Sequence, residues 1–342
     1  MKLRYRLGLS AALACALSFI SPPAMAQSSE EVGFQGYLQL LAARARSEGV
    51  SEATITRMTA GLTFNPRVIA LDRQQPGSSP TPPPFEPYRR RHVDANRIAG
   101  GRNMYAQVSG LLPRIEQAYG VPGQIMIGIW GHETNYGSYM GDFDLSRSLA
   151  SLAYEGRRRD LFSNEFIAVL KMVDQGVPPH RLKGSWAGAF GNPQFLPSMY
   201  LRLARDGDGD GDRDIWNNRA DTLASIGNYF RDAGWRRGEP WGVRATIPAG
   251  FNWGAASNRL NSPSCGPVHA RHSGWKTVGE WRRMGVFPLA PIGEGTLASL
   301  FQPDGPGSSA YLLTGNYRVI LQYNCSNYYA LSVGLLADEI AR

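Results

Sequence analysis

Val121-Pro122-Gly123-Gln124-Ile125-Met126-Ile127-Gly128-Ile129-Trp130-Gly131-His132-Glu133-Thr134-Asn135-Tyr136-Gly137 reads as a buried helix that ends on an acid. Pro122 suits a helix start, and Ile125, Met126, Ile129 and Trp130 give the segment an apolar body. Glu133 lies four residues after Ile129 and eight after Ile125, so its side chain shares their face. Gly137 offers a helix stop, which leaves Glu133 near the negative end of the dipole. Desolvation and dipole both favour the neutral acid and raise its pKa. An acid protonated near neutral pH can serve as a general acid, the group that breaking a glycosidic bond requires. A structural Glu paired with an Arg is the alternative that spacing alone leaves open. A zinc site of the His-Glu-x-x-His type is excluded, because Tyr136 stands where the second His is needed. No Gly-x-Ser-x-Gly elbow or phosphate-binding glycine loop is present.

Helical spacing continues on both sides of this segment. Phe34, Tyr37, Leu38, Leu41 and Ala45 predict an amphipathic opening helix, and a second helical region spans 95–119, punctuated by Gly100 and Gly101. Between them, residues 76–87 carry Pro76, Pro80, Pro82, Pro83, Pro84 and Pro87 and predict an extended tether across the surface. Further helices are expected over 161–173, 220–231 and 328–340. From Trp241 to about Leu313, short apolar runs alternate with Gly, Pro, Asn and Ser, the pattern of a small β-rich region.

The 342-residue chain opens with Lys2, Arg4 and Arg6, an apolar run from Leu7 to Ile20, and Ala24-Met25-Ala26. This is the layout of a secretory signal, residues 1–26, with a mature start at Gln27 and a periplasmic destination. The apolar run is too short to span a bilayer, and no transmembrane segment is expected in the mature chain. Anchoring as a lipoprotein through Cys15 is disfavoured, since apolar residues run past it and Ala12 stands where Leu or Val is preferred. Without the signal, Cys265 and Cys325 remain, and two cysteines in an exported chain favour one disulfide over two buried thiols. The mature net charge is 33 minus 28, or +5. That suits an anionic polymer, and no nucleic-acid motif accompanies it.

Asp206, Asp208 and Asp210 alternate with glycines, followed by Asp212, Asp214 and Asn217. Counting from Asp206 places Asp208, Asp210, Gly211, Asp212 and Asp214 at positions 3, 5, 6, 7 and 9 of a calcium loop. Position 12 is Asn217, which cannot supply a bidentate carboxylate, and Arg213 stands at position 8. The expectation is a low-affinity structural calcium site, against an empty acidic loop capped by Arg213.

Several long motifs in register resemble the lytic murein transglycosylase B family. They are Gly131 to Gly137, Lys183-Gly184-Ser185-Trp186-Ala187-Gly188-Ala189-Phe190-Gly191, and Pro193-Gln194-Phe195-Leu196-Pro197-Ser198-Met199-Tyr200. The aspartate loop at 206–217, Asn228-Tyr229-Phe230, Tyr323-Asn324 and Tyr328-Tyr329 complete the series. The resemblance covers roughly 85–340. It implies a mainly α fold, with a lysozyme-like helical core, a flanking helical domain and a small β-rich domain. The expected division is 27–105 for the N-terminal helical domain, 106–238 for the core, 239–315 for the β-rich region and 316–342 for a C-terminal groove segment and helix. It also implies cleavage of the β-1,4 bond between N-acetylmuramic acid and N-acetylglucosamine in peptidoglycan, with formation of a 1,6-anhydro ring. Glu133 matches the single catalytic acid, and Ser185 and Gln194 match residues beside the cleaved bond. Tyr88, Tyr229, Tyr323 and Tyr329 match aromatic groove positions, Asn324 a polar contact, and Arg157 and Arg158 a basic pair facing muramic-acid substituents. No cofactor is expected for the chemistry, and a monomer is the default state. The competing readings are a hydrolytic muramidase and a non-catalytic peptidoglycan-binding scaffold.

Overall fold

The computed structural model describes residues 29–75, 83–257, 262 and 264–342. The export signal and residues 76–82 of the proline stretch lie outside the described residues. Helices dominate. The opening helix, Ser29–Ser47, buries Phe34, Leu38, Leu41, Ala42 and Ala45. The next two helices start on side-chain caps, Ser51 for Glu52–Thr59 and Asn65 for Pro66–Arg73. One continuous apolar core then runs from Phe34 through the middle of the chain to Ile340.

The proline-rich stretch departs from expectation at its end. Phe85–His92 is a helix, and Pro87 lies in its first turn, where a missing N–H costs nothing. The region at 95–119 departs as well. Ala95–Val108 is an unbroken helix, and the interruption falls at 109–111, before Leu112–Tyr119. Gly101 sits inside the first of these for a packing reason. A Cβ there would come within 2.5 Å of Ile340 and 2.7 Å of the Tyr136 hydroxyl.

The acid-bearing helix, Gly123–Thr134, is buried nearly all round, through Ile125, Met126, Ile127, Ile129 and Trp130, as befits a central helix. Pro122 is its N-cap rather than a first-turn residue. The C-terminal helix, Asn327–Ile340, packs along it, close enough that a Cβ on Gly128 would lie 3.3 Å from the Val333 carbonyl.

The β-rich region is a five-stranded antiparallel sheet. Its spatial order is Trp275–Thr277, Leu297–Phe301, Ala310–Leu313, Gly242–Thr246 and Phe287–Pro288. It has a core of its own around Val243, Trp281, Ala298, Leu300 and Leu312. Cys265 and Cys325 are disulfide-bonded, with Cα atoms 5.8 Å apart. The bond joins a segment within the β-rich region to the turn between Gly315–Tyr323 and Asn327–Ile340. No helix among the described residues is long and apolar enough to cross a membrane.

Candidate active site

The acid helix ends abruptly. Asn135, Tyr136 and Gly137 all take positive φ (49°, 60° and 88°), so the left-handed stop begins two residues before the glycine that the sequence suggests. The Thr134 hydroxyl accepts the Gly137 N–H at 3.0 Å and donates to the Asn192 carbonyl at 3.2 Å. This reversal leaves Glu133 half-buried on the last helical turn.

Its surroundings bear on the Arg-paired alternative left open by spacing. No ion pair to Glu133 exists among the described residues. The Tyr329 hydroxyl donates to its Oε1 at 2.5 Å. Burial pushes the carboxyl up to about 7, against the lowering effect of that hydrogen bond. Burial likewise drives the Tyr329 hydroxyl well above its ordinary range, helped by the adjacent carboxylate, so it stays a donor.

A ladder of rings leads into this pair. Tyr88 stacks on His92 with centroids 3.9 Å apart. His92 lies parallel to His132 at 5.6 Å, and His132 meets the Tyr329 ring edge-on at 5.5 Å. His132 is held neutral by burial, its pKa lowered to about 3. In the sequence His132 stands out only beside Glu133 as a metal-ligand candidate, and His92 belongs to no motif. The i, i+4 spacing of Tyr88 and His92 on a helix was the available signal. Burial and, after it, the charge of Glu133 both raise the Tyr88 hydroxyl.

Tyr229 and Tyr323 meet edge to face at 4.6 Å. The Tyr229 hydroxyl donates to the Gln322 carbonyl at 2.8 Å, and that of Tyr323 to the Pro193 carbonyl. The Tyr323 hydroxyl also feels the Glu133 charge. Asn324, at the end of the Gly315–Tyr323 helix, is exposed. Gln194 is itself left-handed (φ 50°) and donates through Nε2 to Met140 at 3.2 Å and Gly191 at 3.0 Å. Ser185 Oγ accepts the Ala189 N–H at 3.0 Å. Gly141 presses against the backbone there, where a Cβ would fall 2.3 Å from the Gly184 carbonyl. Thus Glu133, Tyr88, Tyr323, Tyr329, Gln194 and Ser185 gather around the end of one helix. Asn192, unnoticed in the sequence, lies beneath them. It accepts from Trp130 Nε1 at 2.9 Å and donates to the Trp216 carbonyl at 3.0 Å, joining the acid helix to the aspartate loop.

Arg157 and Arg158 are placed differently. Both grip Asp72, with closest N···O distances of 2.6 and 2.5 Å, and Asp72 is only 1% exposed. Burial pushes that carboxyl up, but the two guanidiniums outweigh it and hold it below the usual range. The ion pairs of these arginines lead to the Pro66–Arg73 helix, Arg158 also lies over the Phe162 ring, and no contact of the pair with Glu133 is found among the described residues.

The aspartate loop is divided as well. Asp206, Asp208 and Asp210 bring oxygens within 4.8 Å of one another, a group that could hold a metal ion. Asp212 and Asp214 turn away to Arg181, at 2.9 and 3.3 Å. Arg213 does not cap the acidic group. Its guanidinium lies over the Tyr200 ring and reaches Gln175. Asp221, absent from the sequence-based set, fastens the loop by accepting from Gly207 and Asp214 N–H groups at 2.7 and 2.6 Å. Fully buried, it is pushed up to about 6, and the charges of Asp208 and Asp206 add to that effect.

The sequence model of the transglycosylase SLT domain family matches residues 33–338. Membrane-bound lytic murein transglycosylase B of Escherichia coli is 32% identical over 282 residues, 79% of this chain and 73% of that protein. The crystal structure of SltB3 from Pseudomonas aeruginosa, in complex with NAG-anhNAM-pentapeptide, superposes with a TM-score of 0.81 at 38% identity, covering 90% of this chain and 79% of that one. The Escherichia coli lytic transglycosylase Slt35, in complex with calcium, gives a TM-score of 0.71 at 28% identity, over 91% of this chain and 93% of that one. On the extent of these matches, the chain belongs to the lytic murein transglycosylase B family, within the transglycosylase SLT domain group.

Proposed function

We propose that this chain is a peptidoglycan lytic transglycosylase that cuts the β-1,4 bond between N-acetylmuramic acid and N-acetylglucosamine and leaves a 1,6-anhydro ring on the muramic sugar. The observation that carries this reading is one half-buried acid, Glu133, raised to about 7 and touched by a tyrosine rather than a cation. Protonated Glu133 donates to the glycosidic oxygen as the bond breaks, and an oxocarbenium-like centre develops on the muramic sugar. The substrate's own N-acetyl group stabilises that centre. The resulting carboxylate, steadied by the Tyr329 hydroxyl, then takes the proton from the 6-hydroxyl, which closes onto carbon 1. The proton gained in the second step replaces the one spent in the first, so no water is consumed.

Glycosidases that add water pair two carboxylates across the bond. Here the sugar's own 6-hydroxyl is the nucleophile, so no second carboxylate has to position a water. Tyr88, Tyr229, Tyr323, Tyr329, Asn324, Ser185 and Gln194 fit the role of groove residues. Arg157 and Arg158 would meet substrate only with the guanidinium hydrogens that Asp72 leaves free. Digestion of purified peptidoglycan, followed by mass analysis, tests the reading. Muropeptides lighter by one water than hydrolysis products are expected, and Glu133→Gln should release none. Hydrated ends would assign a muramidase, and strand binding without any release would assign a scaffold.

Asp206, Asp208 and Asp210 offer hard oxygen donors and are the residues that would hold a calcium ion, with a structural effect only. Two backbone N–H groups already engage Asp206, which favours low affinity. Melting curves with calcium and with chelator should differ, and identical curves would remove the ion from this account. The basic, apolar, small-residue pattern at 1–26 supports export to the periplasm, where the polymer lies.

A further inference from the structure

Tyr139 is the most exposed large apolar side chain among the described residues, at 70%. It stands six residues after Glu133, on the loop that runs from the acid helix to Gly141. That loop is tightly held. The Tyr139 N–H donates to the Thr134 carbonyl at 3.1 Å, and Ser138 Oγ donates to the Asn135 carbonyl at 2.7 Å. Gln194 fastens the next carbonyl, that of Met140, and Gly141 lies on the backbone of Gly184 and Ser185. The ring therefore projects from a rigid lip whose flanks are Gln194 and Ser185. An exposed ring on a lip held by this many bonds has its position fixed before anything binds, which lowers the cost of covering it.

We propose that Tyr139 is a saccharide-stacking residue at the rim of the groove, taking the apolar face of one hexosamine unit of the bound strand. The assignment rests on the glycan-cleaving reading above and extends it to a residue that neither the motifs nor the buried tyrosines include. Its occupant follows from its place. The strand must pass Glu133 to be cut, and the lip that carries Tyr139 is continuous with the residue next to that acid. The C–H face of a pyranose supplies the flat apolar surface that such a ring can cover.

The test uses the mature chain carrying Glu133→Gln, so that strands bind without being consumed. Dissociation constants for purified glycan strands are measured with and without Tyr139→Ala, and with Tyr139→Trp. An aromatic contact of ordinary strength predicts roughly a 5- to 10-fold weakening for Ala and retention for Trp. With Glu133 intact, the same loss should fall on KM rather than kcat. Equal affinities for the Tyr and Ala forms would overturn the proposal. So would a fall in kcat at unchanged KM, which would mark the loop as support for the acid only. If neither form bound strands at all, the glycan reading itself would fail, and this assignment with it. Hydrated rather than anhydro products would revise the reaction while leaving the binding result to stand.

Discussion

Glu133 works because two opposed influences act on its carboxyl. Burial favours the proton, the Tyr329 hydrogen bond favours the charge, and burial wins to leave the group near 7. General acid chemistry needs the protonated form, so turnover should fall as pH rises through that value. Replacing Tyr329 by Phe removes the contact that steadies the carboxylate, which raises the acid's pKa further. The alkaline limb of the kcat profile should therefore move to higher pH, while kcat at its plateau drops by roughly tenfold as the carboxyl loses its orienting partner. An unmoved limb in a pH–rate series would show that the hydroxyl does not govern the proton. The acid was legible in the sequence because helical spacing alone puts residue 133 beside Ile125 and Ile129. Tyr329, nearly two hundred residues away, was legible only as a groove aromatic; its hydroxyl contact with Glu133 depends on how two helices cross, which no local pattern records.

The element that holds the acid is fixed from below. Asn192, 4% exposed, satisfies Trp130 Nε1, the Thr134 hydroxyl, and the Trp216 carbonyl of the aspartate loop together. Its Nδ2 also reaches the Thr222 hydroxyl at 3.2 Å. Asn192→Ala leaves a buried indole N–H and a buried carbonyl without partners and should destabilise the fold by ~2–4 kcal/mol. Because Trp130 lies one turn before Glu133 and loses its side-chain partner, kcat should fall as well, while strand affinity holds. Urea denaturation beside steady-state kinetics separates the two effects, and a variant that lost neither would leave Asn192 as filler. Periodicity found the long helices but not short ones such as Glu52–Thr59, Pro66–Arg73 and Phe85–His92, and the alternating runs found the sheet. It missed Asn192 because a single polar residue between Gly191 and Pro193 carries no period. The same blindness explains Gly101, which looks like a helix breaker until Ile340 and Tyr136 are seen against it. It also explains Asp212 and Asp214, which count correctly along a calcium loop yet turn to Arg181.

At the scale of the whole molecule, the second half of the groove is a hinge-like turn pinned from the β-rich region. Tyr323 and Asn324 precede Cys325, and Tyr329 follows it, so the bond to Cys265 secures the chain between the groove tyrosines. The attachment is reinforced locally. His272 Nε2 lies 2.7 Å from Asn327 Oδ1, Asn327 Nδ2 donates to the Val268 carbonyl at 3.0 Å, and the Tyr317 hydroxyl donates to the Asn327 carbonyl at 3.0 Å. Tyr323 is tied separately to Pro193 and to the Tyr229 ring. The disulfide closes a sequence separation of 60, which in the chain-entropy treatment stabilises by up to ~4 kcal/mol. Because that effect acts through the unfolded chain, and the folded turn keeps its hydrogen bonds, stability and activity should part company on reduction. Denaturant midpoints measured with and without reductant should move apart, while kcat/KM measured far from the midpoint changes little. Replacing both cysteines by serine should reproduce the reduced curve. Should the midpoints coincide, the bond would be holding nothing that the Asn327 network does not already hold. Should kcat/KM collapse at full folding, the position of Tyr329 over Glu133 would depend on the covalent link rather than on helix packing.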